Sequence, residues 1–308
     1  MRQLLISIVA IIAMAFGFQS CSNEENFVNE AAEQPSAQPV TRSATGIKNI
    51  VYVEVNAVNP LNAGSYTMGG EPFFDYVILF AANIRGDGNN AILYNNPNVQ
   101  YILDHKETLI QPLQRKGIKV LLGLLGDHTG LGFANMNATQ IEQFATAVSS
   151  AVTQYGLDGV DFDDEWAEYG RNGYPTHING SYGNLLTSLR NKMPSKIITV
   201  YDFGNSNELS SVNALMNYGI YGRFGIVATS PGMGLPKSKY APYVINFNQS
   251  NPVRTVKSNA QKVAQGGWGA IGYYDLKSYS HQAVLNAVAE GAFNSTCVYD
   301  GQSYPKNY

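Results

Sequence analysis

The sequence predicts an α/β fold, a (β/α)8 TIM barrel formed by a single domain. Mostly apolar strand-like runs alternate with helix-like runs, and this alternation is typical of a parallel sheet covered on both faces. Eight strand candidates fall within about 260 residues, a normal length for this barrel. An open doubly wound sheet would alternate in the same way. No Gly-x-Gly-x-x-Gly turn or phosphate-binding loop follows the first strand, which weakens a nucleotide-binding interpretation.

Each strand is predicted from a short run rich in β-branched or aromatic residues. In chain order they are IVYVEV (50–55), one within FFDYVILFAAN (73–83), IKVLLGLLG (118–126), LDGVDFDDEWAEYG (157–170), KIITVYDFG (196–204), FGIVATS (224–230), YAPYVINF (240–247) and GAIGYYDL (269–276). Helices are predicted over 99–117, 138–156, 253–266, near 181–192 and near 280–290. The second of these places Ile141, Phe144 and Val148 on one stripe and ends at Gly156, as a C-cap would.

The first 20 residues are predicted to be a signal peptide outside the fold. Arg2 supplies a positive start and residues 4–16 are mostly apolar. The stretch FQSC (18–21) resembles the lipobox of bacterial lipoproteins, which implies acylation at Cys21; an ordinary secretory signal is the alternative. We therefore expect an exported lipoprotein of the outer membrane, exposed at the cell surface and anchored by lipid at Cys21. Cys297 would then be the one remaining thiol, so no internal disulfide is expected.

Residues 21–47 are polar and aperiodic and predict a flexible tether, which leaves 48–308 as the domain. The net charge of −3 and the isoelectric point near 5.8 give no reason to expect nucleic acid or anionic lipid as a partner. The 20 tyrosines suit uncharged, hydroxyl-rich ligands, although most of them would serve equally well as ordinary surface and core residues. We expect a monomer that needs no cofactor.

The run LDGVDFDDEWAEYG is unusual because it concentrates six acids in a strand-like segment. Side chains alternate along a strand, so Asp161, Asp163 and Glu165 share one face. In a barrel that face points inward and climbs toward the active-site end. Carboxylates at such short spacing raise one another's pKa. At least one group should therefore hold a proton near neutrality, as a general acid must.

Other interpretations of the acids fit less well. A solvated loop would not interleave Val160 and Phe162 so regularly. A calcium loop counted from Asp161 needs glycine at its sixth position, where Trp166 stands. A Mg²⁺ site is conceivable, but neither histidine nor a second acidic strand end supports it. Glu54, in the first strand, is interpreted as a barrel-floor acid paired with the cluster or as a satisfied core carboxylate.

Residues 158–165 fit the D-G-x-D-x-D-x-E signature of glycoside hydrolase family 18, and the chain through Gly170 resembles Endo H-type endo-β-N-acetylglucosaminidases. The likeness covers most of 48–290. It includes VYVEVN (51–56), FAANI (80–84), residues 111–135, IITVYDFG (197–204), LPKSK (235–239) and YYDL (273–276).

The resemblance implies cleavage between the two core GlcNAc residues of N-linked glycans of glycoproteins by substrate-assisted catalysis. It implies that Glu165 protonates the glycosidic oxygen and later activates water. Asp163 would orient the 2-acetamido group, whose carbonyl oxygen attacks the anomeric carbon, and Asp161 would hydrogen-bond Asp163. It implies pocket positions for Tyr201 and Tyr274; packing tyrosines are the alternative.

Three further substrate contacts are predicted with less support from the pattern. Asp202 stands where Endo H-like sequences carry asparagine, while Asn83 and His128 lie at the ends of the second and third strands. For His128 a surface histidine without a special role is an equal interpretation.

One expected feature is missing from the predicted sixth strand end. Endo H-type enzymes carry Trp-Asn-Pro-Tyr-Tyr-Gly there, and residues 228–234 read ATSPGMG. Because the lost tyrosine would help to hold the acetamido group, a glycan-binding protein with weak or no activity is an alternative to the enzyme. A chitinase-like hydrolase is a third.

Overall fold

The computed structural model describes residues 46–308 of the chain. The predicted signal peptide, Cys21 and residues 21–45 of the tether lie outside the described residues, so the lipid anchor stays a prediction. Among residues 46–308, no helix combines the length and apolar character needed to cross a bilayer.

A parallel barrel forms the centre of the domain, as predicted. The strands are β1 (Lys48–Glu54), β2 (Tyr66–Met68), β3 (Glu71–Pro72), β4 (Tyr76–Asp87), β5 (Asn90–Tyr94), β6 (Lys119–Gly126), β7 (Gly159–Asp163), β8 (Ile197–Asp202), β9 (Tyr218–Tyr221), β10 (Tyr240–Ala241), β11 (Val244–Asn246), β12 (Ala270–Tyr274) and β13 (Cys297–Tyr299). In the barrel β1, β4, β6, β7, β8 and β9 pair in that order, all parallel. Outside it, β2, β3 and β13 form a small antiparallel sheet.

The barrel closes through a seventh position that is split in two. β10 pairs with β9, and β11, a few residues later, pairs with β12, which in turn pairs with β1. Pro242 stands between the two pieces and has no backbone N–H to donate, so one continuous ladder cannot form across it. The segment predicted as a single strand over 240–247 is therefore two short ones.

Helices cover the outside of the barrel. They are α1 (Pro97–Asp104), α2 (Lys106–Leu109), α3 (Gln111–Arg115), α4 (Ala138–Tyr155), α5 (Ser181–Lys192), α6 (Val253–Gln265) and α7 (Gln282–Phe293), with 3-10 segments at Pro60–Ser65, Arg171–Gly173, Ser206–Leu215 and Lys237–Lys239. α4 begins at a capping box between Asn137 and Gln140 and ends at Gly156 in the left-handed region, as the sequence predicted. The single helix predicted over 99–117 is broken into three, at His105 and at Ile110. Pro112 accounts for the second break, because it lacks the N–H that would continue the helix ladder there.

The sixth strand is not where the sequence analysis placed it. Residues 224–230 contribute only isolated bridges, at Phe224 and Val227, and the sixth barrel strand is β9. Gly225 has a φ of +77°, a left-handed conformation that ends strand geometry. The short β9 segment, Tyr-Gly-Ile-Tyr, carries too little apolar periodicity to be detected in the sequence.

Two apolar clusters hold the fold together. The larger one lies between the strands and the helices. The smaller one fills the barrel interior and includes Ile50, Ile78, Leu121 and Ile220, with Tyr52 above them. The interior is therefore packed below and leaves space only toward the carboxyl ends of the strands.

Candidate active site

A cavity of about 380 Å³ opens at the carboxyl ends of the barrel strands. Its lining draws on nearly every strand position: Tyr52, Glu54, Phe80, Leu125, Asp163, Glu165, Trp166, Tyr201, Phe224, Val244 and Tyr274. Glu54, Asp163 and Tyr274 are each the last residue of their strand. The cavity therefore lies where TIM-barrel enzymes place their chemistry.

The acid-rich segment leaves the barrel sheet earlier than predicted. β7 ends at Asp163, so Asp161 and Asp163 belong to the strand while Glu165 follows it. Backbone contact with the neighbouring strand positions Glu165: the N–H of Gly126 donates to its carbonyl at 3.0 Å. A Cβ on Gly126 would come within 2.4 Å of that same oxygen, so glycine is required for this close approach.

Asp161 is fully buried below the cavity. The hydroxyl of Thr199, on the adjacent strand, donates to its Oδ1, while Oδ2 has no hydrogen-bond partner among the described residues. Burial raises the pKa of Asp161 to about 7, and interactions with the Thr199 and Tyr52 side chains partly oppose this rise. The group therefore keeps its proton through much of the range in which an exposed aspartate is charged.

Asp163 combines burial with crowding by other acids. It is 6% exposed, and its Oδ1 has no hydrogen-bond partner among the described residues. Burial first, and then the nearby charges of Glu165 and Asp161, hold its pKa well above the usual range. The hydrogen bond that the resemblance implies between Asp161 and Asp163 is not formed in this structure. Two residues along a strand span about 6.6 Å, so each carboxyl must turn toward the other to meet.

Glu165 is half-buried at the cavity wall. Burial raises its pKa, an interaction with the Trp166 side chain lowers it, and the charge of Asp164 raises it. The net effect is a rise, so this glutamate stays protonated to a higher pH than an ordinary one.

The remaining acids of the segment have structural roles. Asp158 accepts hydrogen bonds from Val120 N, the Gln114 amide and Lys119 Nζ. Asp164 accepts bonds from the backbone and side chain of Asn205, both at 2.8 Å. Asp158 and Asp164 therefore hold neighbouring segments together and do not line the cavity. Within residues 46–308, no group of three or more His, Cys, Asp or Glu side chains is arranged to hold a metal ion.

Aromatic rings form the walls of the cavity. Tyr52 contacts Phe80, Tyr201 and Tyr274 edge to face, with ring centroids 5.6, 6.4 and 6.2 Å away. Phe224 stacks on Tyr274 at 5.6 Å. Walls of this kind exclude water and offer flat apolar surfaces to a ligand ring.

Glu54 is hydrogen-bonded, as one of the two sequence interpretations held, but it lies at the cavity wall rather than in the core. It ends β1 at the cavity rather than at the barrel floor, and its Oε1 accepts a hydrogen bond from the Tyr274 hydroxyl at 3.0 Å. Burial raises its pKa. Both Glu54 and Tyr274 therefore present polar atoms to a ligand.

Of the five predicted substrate-binding residues, the structure brings only Tyr201 and Tyr274 into the cavity. Asn83 instead donates to the carbonyl of Gly126 at 2.9 Å, and His128 pairs with Glu168 at 2.7 Å. The carboxylate of Asp202 accepts bonds from Ser206, at 2.6 Å, and from the Tyr240 hydroxyl. These three bond to neighbouring strands and loops and do not line the cavity.

A tyrosine stands at the end of the sixth strand that the structure shows. Because the sixth strand is β9, its end is Tyr221, beside Asp202 of β8 in register. Tyr221 is half-buried and packs against the cluster inside the barrel. Residues 228–234, where the sequence analysis placed the strand end, belong to the loop that follows, so that placement is wrong. Tyr221 is not among the residues that line the cavity.

Sequence reasoning did not identify Tyr52, Phe80, Phe224 or Trp166 as cavity residues. Tyr52 and Phe80 occur in strands that were predicted, and inward alternation with Glu54 and Ile78 would have indicated their face. Phe224 could not be found, because the strand predicted over 224–230 is a loop with isolated bridges.

Comparisons with known proteins agree with this geometry, although no family model matches the chain. An endo-β-N-acetylglucosaminidase of Flavobacterium sp. (strain SK1022) is 38% identical over 274 residues, covering 86% of this chain and 87% of its own. Endo-β-N-acetylglucosaminidase F1 of Elizabethkingia meningoseptica is 30% identical, over 98% of this chain and 96% of its own.

Solved structures give the same result. EndoBT-3987 of Bacteroides thetaiotamicron, solved in complex with Man9GlcNAc2Asn substrate, superposes with a TM-score of 0.76 and 30% identity, over 85% of this chain and 69% of its own. Its Man5GlcNAc product complex gives a TM-score of 0.74; the present chain covers 64% of that chain. A chitinase of Rhizomucor miehei, at 12% identity and a TM-score of 0.58, shares the fold alone.

The raised pKa of Asp161 predicts a specific pH dependence of stability. Between pH 3.8 and about 7 the unfolded chain ionises Asp161 while the folded protein keeps it protonated, so this group's contribution to stability is lost as the pH rises. Asp161→Asn cannot ionise, so the variant should lose less unfolding free energy than wild type across that range. Urea unfolding at a series of pH values measures the difference.

Glu142→Gln is the control, because the pKa shift of Glu142 has the opposite sign to that of Asp161. Hydrogen bonds from Lys192 and Ser188 lower the pKa of Glu142, so its contribution to stability appears as the pH rises. Parallel wild-type and Asp161→Asn curves would contradict a protonated, buried Asp161.

Proposed function

We propose a substrate-assisted, retaining mechanism for this chain, which belongs to the Endo H-type endo-β-N-acetylglucosaminidases of glycoside hydrolase family 18. Its reaction is hydrolysis of the chitobiose core of N-linked glycans. The observation that carries the mechanism is the pairing of two unlike carboxyls in one aromatic-walled cavity. Asp163 is buried with an unpartnered oxygen, and Glu165 is half-buried with a raised pKa.

Glu165 is assigned the proton transfers. With its pKa raised, it carries a proton to give to the glycosidic oxygen as the bond to the anomeric carbon breaks. The resulting carboxylate then accepts a proton from the water that attacks the intermediate, which returns Glu165 to its starting state.

Asp163 is assigned to the 2-acetamido group of the sugar that stays bound. The carbonyl oxygen of that group attacks the anomeric carbon and forms an oxazolinium ion, leaving a positively charged N–H. The unpartnered Oδ1 of Asp163 is the acceptor available for this N–H. A carboxylate is worth most against a charge that develops in a water-excluded site. As the ion forms, Asp163 therefore passes its proton to the unpartnered Oδ2 of Asp161, which accepts it in its ionised form.

Asp161 is assigned a supporting role. Its unpartnered Oδ2 can take part in a hydrogen bond with Asp163, and its pKa near 7 allows it to share one proton with that neighbour. Thr199 fixes the orientation of Asp161 from the next strand.

The alternative of a glycan-binding protein without turnover has less support than the enzyme. It rested on residues 228–234 as the sixth strand end, and that strand ends at Tyr221 instead. Two relatives that align with most of the chain are endo-β-N-acetylglucosaminidases. The export signal and acylation at Cys21 are proposed on the sequence pattern alone, since those residues lie outside 46–308.

Replacement of the proton donor gives the direct test. Glu165→Gln keeps the shape of the side chain but cannot supply the proton, so glycan release from a high-mannose glycoprotein should fall by at least about 10²-fold. Glycan release is measured by the mobility shift of the glycoprotein. Asp163→Asn should also slow release, because an amide cannot balance the oxazolinium charge.

Glu168→Gln is the matched control for this test. Glu168 lies three residues along the same segment, is exposed, and pairs with His128 and Arg171 outside the cavity. Its variant should release glycan at close to the wild-type rate. No release by wild type from high-mannose, hybrid or complex substrates would overturn the enzyme, and a Glu165→Gln variant as fast as wild type would overturn the assignment of Glu165.

A shift in the position of Glu165, with its side chain unchanged, should also slow glycan release. A Cβ at position 126 would meet Ala167 N at 2.3 Å and Glu165 O at 2.4 Å, so Gly126→Ala must push the catalytic segment away. A misplacement of about 1 Å costs up to about 10²-fold in rate, which we expect to appear in kcat.

Gly183→Ala, within α5, is the matched glycine control. The added Cβ meets the Val212 methyl groups at 3.5 and 3.7 Å, which is ordinary contact, so kcat should not change. Equal kcat values for the Gly126→Ala variant and wild type would show that the backbone contact does not position Glu165.

A further inference from the structure

Two large aromatic side chains stand exposed beside the cavity. Trp166 is 59% exposed and Phe203 is 47% exposed, whereas Phe162 and Tyr182 nearby are fully buried. Trp166 lines the cavity mouth next to Glu165, and Phe203 stacks on the cavity residue Tyr201 at 6.1 Å. Exposed aromatic rings clustered at a site opening are typical of binding surfaces.

The two rings come from neighbouring loops that are tied together. β7 and β8 are paired, and Trp166 and Phe203 follow their ends. The Asp164 carboxylate joins the loops through two hydrogen bonds to Asn205. Gly204, at a φ of +60°, passes so close to Asp164 that an added Cβ would lie 2.4 Å from its carbonyl oxygen. The rings are therefore held on a preorganised rim.

Trp166 is further supported from the side away from Glu165. Its φ is +60°, a conformation uncommon for residues other than glycine, and its carbonyl accepts a hydrogen bond from His128 N at 2.8 Å. The His128 ring lies 5.6 Å from the indole. Strained backbone that is held in this way is found mainly where a side chain must be presented in one direction.

The position of Glu165 decides which half of the substrate meets these rings. A general acid must lie within hydrogen-bond reach of the oxygen that it protonates. In the proposed reaction that oxygen leaves with the asparagine-linked GlcNAc. The leaving sugar therefore extends from Glu165, whose next residue is Trp166. A cavity of about 380 Å³ is at the small end for ligand sites, so the polypeptide attached to that sugar must lie outside it.

We propose that Trp166 and Phe203 form a platform for the leaving half of the substrate, namely the asparagine-linked GlcNAc and the polypeptide that carries it. The indole offers a flat face to the C–H groups of the sugar, and Phe203 extends the apolar surface toward the peptide. The platform makes the enzyme distinguish a glycosylated polypeptide from the same glycan without peptide. This inference rests on the proposed function, because it takes Glu165 as the proton donor.

The test compares two substrates that differ only in the leaving half. One is a high-mannose glycopeptide, and the other is the same glycan ending in its two core GlcNAc residues without peptide. Wild type should have the higher kcat/KM on the glycopeptide, and Trp166→Ala and Phe203→Ala should each lower the ratio of the two kcat/KM values by about tenfold. The ratio cancels any loss that is common to both substrates.

Tyr101→Ala is the matched control, because Tyr101 is 39% exposed but lies on α1, where it stacks on His105. Its ratio should equal that of wild type. If Trp166→Ala does not fold, Trp166→Phe and Phe203→Ala serve in its place; Trp166→Phe retains a ring and should lose less than Phe203→Ala.

A binding measurement separates this proposal from the proposed function. Calorimetry with a peptide carrying one GlcNAc on asparagine needs no turnover, and its Kd should rise about tenfold in the two alanine variants. If wild type cleaves neither substrate, the proposed hydrolytic function is overturned. The Kd measurement then decides whether the platform exists. Equal wild-type rates on both substrates, or an unchanged Kd in both variants, would overturn the platform.

Discussion

The burial of two carboxyl groups inside a closed barrel is the constraint on which the site depends. Asp161 and Asp163 each leave an oxygen without a partner among the described residues, which is unfavourable for folding stability. Removal from water favours their neutral forms, so protons stay in the barrel interior. The fold tolerates this cost because Thr199 donates a hydrogen bond to Asp161 and the buried Tyr52 side chain lies close to both acids. A ligand that supplies a positive N–H to Asp163 would relieve the cost.

The remaining chemistry is positioned by backbone contact rather than by the strand. Glu165 lies beyond β7, and the chain there runs against the end of β6, where Gly126 N bonds Glu165 O and Gly130 N bonds Ala167 O. Side chains at either glycine would collide with the neighbouring backbone. This arrangement holds the proton donor on the cavity wall and turns Trp166 outward beside it. One short segment therefore supplies the proton donor Glu165, the aspartate Asp163 that orients the acetamido group, and the rim residue Trp166. Contacts at several points hold this segment in place.

The sequence predicted features that follow from strong periodicity. The alternation of Asp161 and Asp163 with Phe162, and the stripe and caps of α4, required only the geometry of strands and helices. It did not predict features set by tertiary context. β9 has only four residues, one of them glycine, so the sequence shows no clear strand pattern there. The end of the sixth strand was therefore predicted at 228–234 instead of at Tyr221. Asn83 occupies a predicted strand end, and only the structure shows that its amide donates to the end of the neighbouring strand β6.

Assigned carboxyl titrations by ¹³C NMR test the central claim most directly. Spectra of protein labelled at Asp and Glu carboxyls are recorded against pH, and the signals are assigned with the Asp161→Asn, Asp163→Asn and Glu165→Gln variants. The account predicts that all three acids titrate with midpoints above the usual carboxyl value near pH 4, and that the midpoint of Asp161 lies close to pH 7. Titration of all three near pH 4 would contradict a proton held by burial.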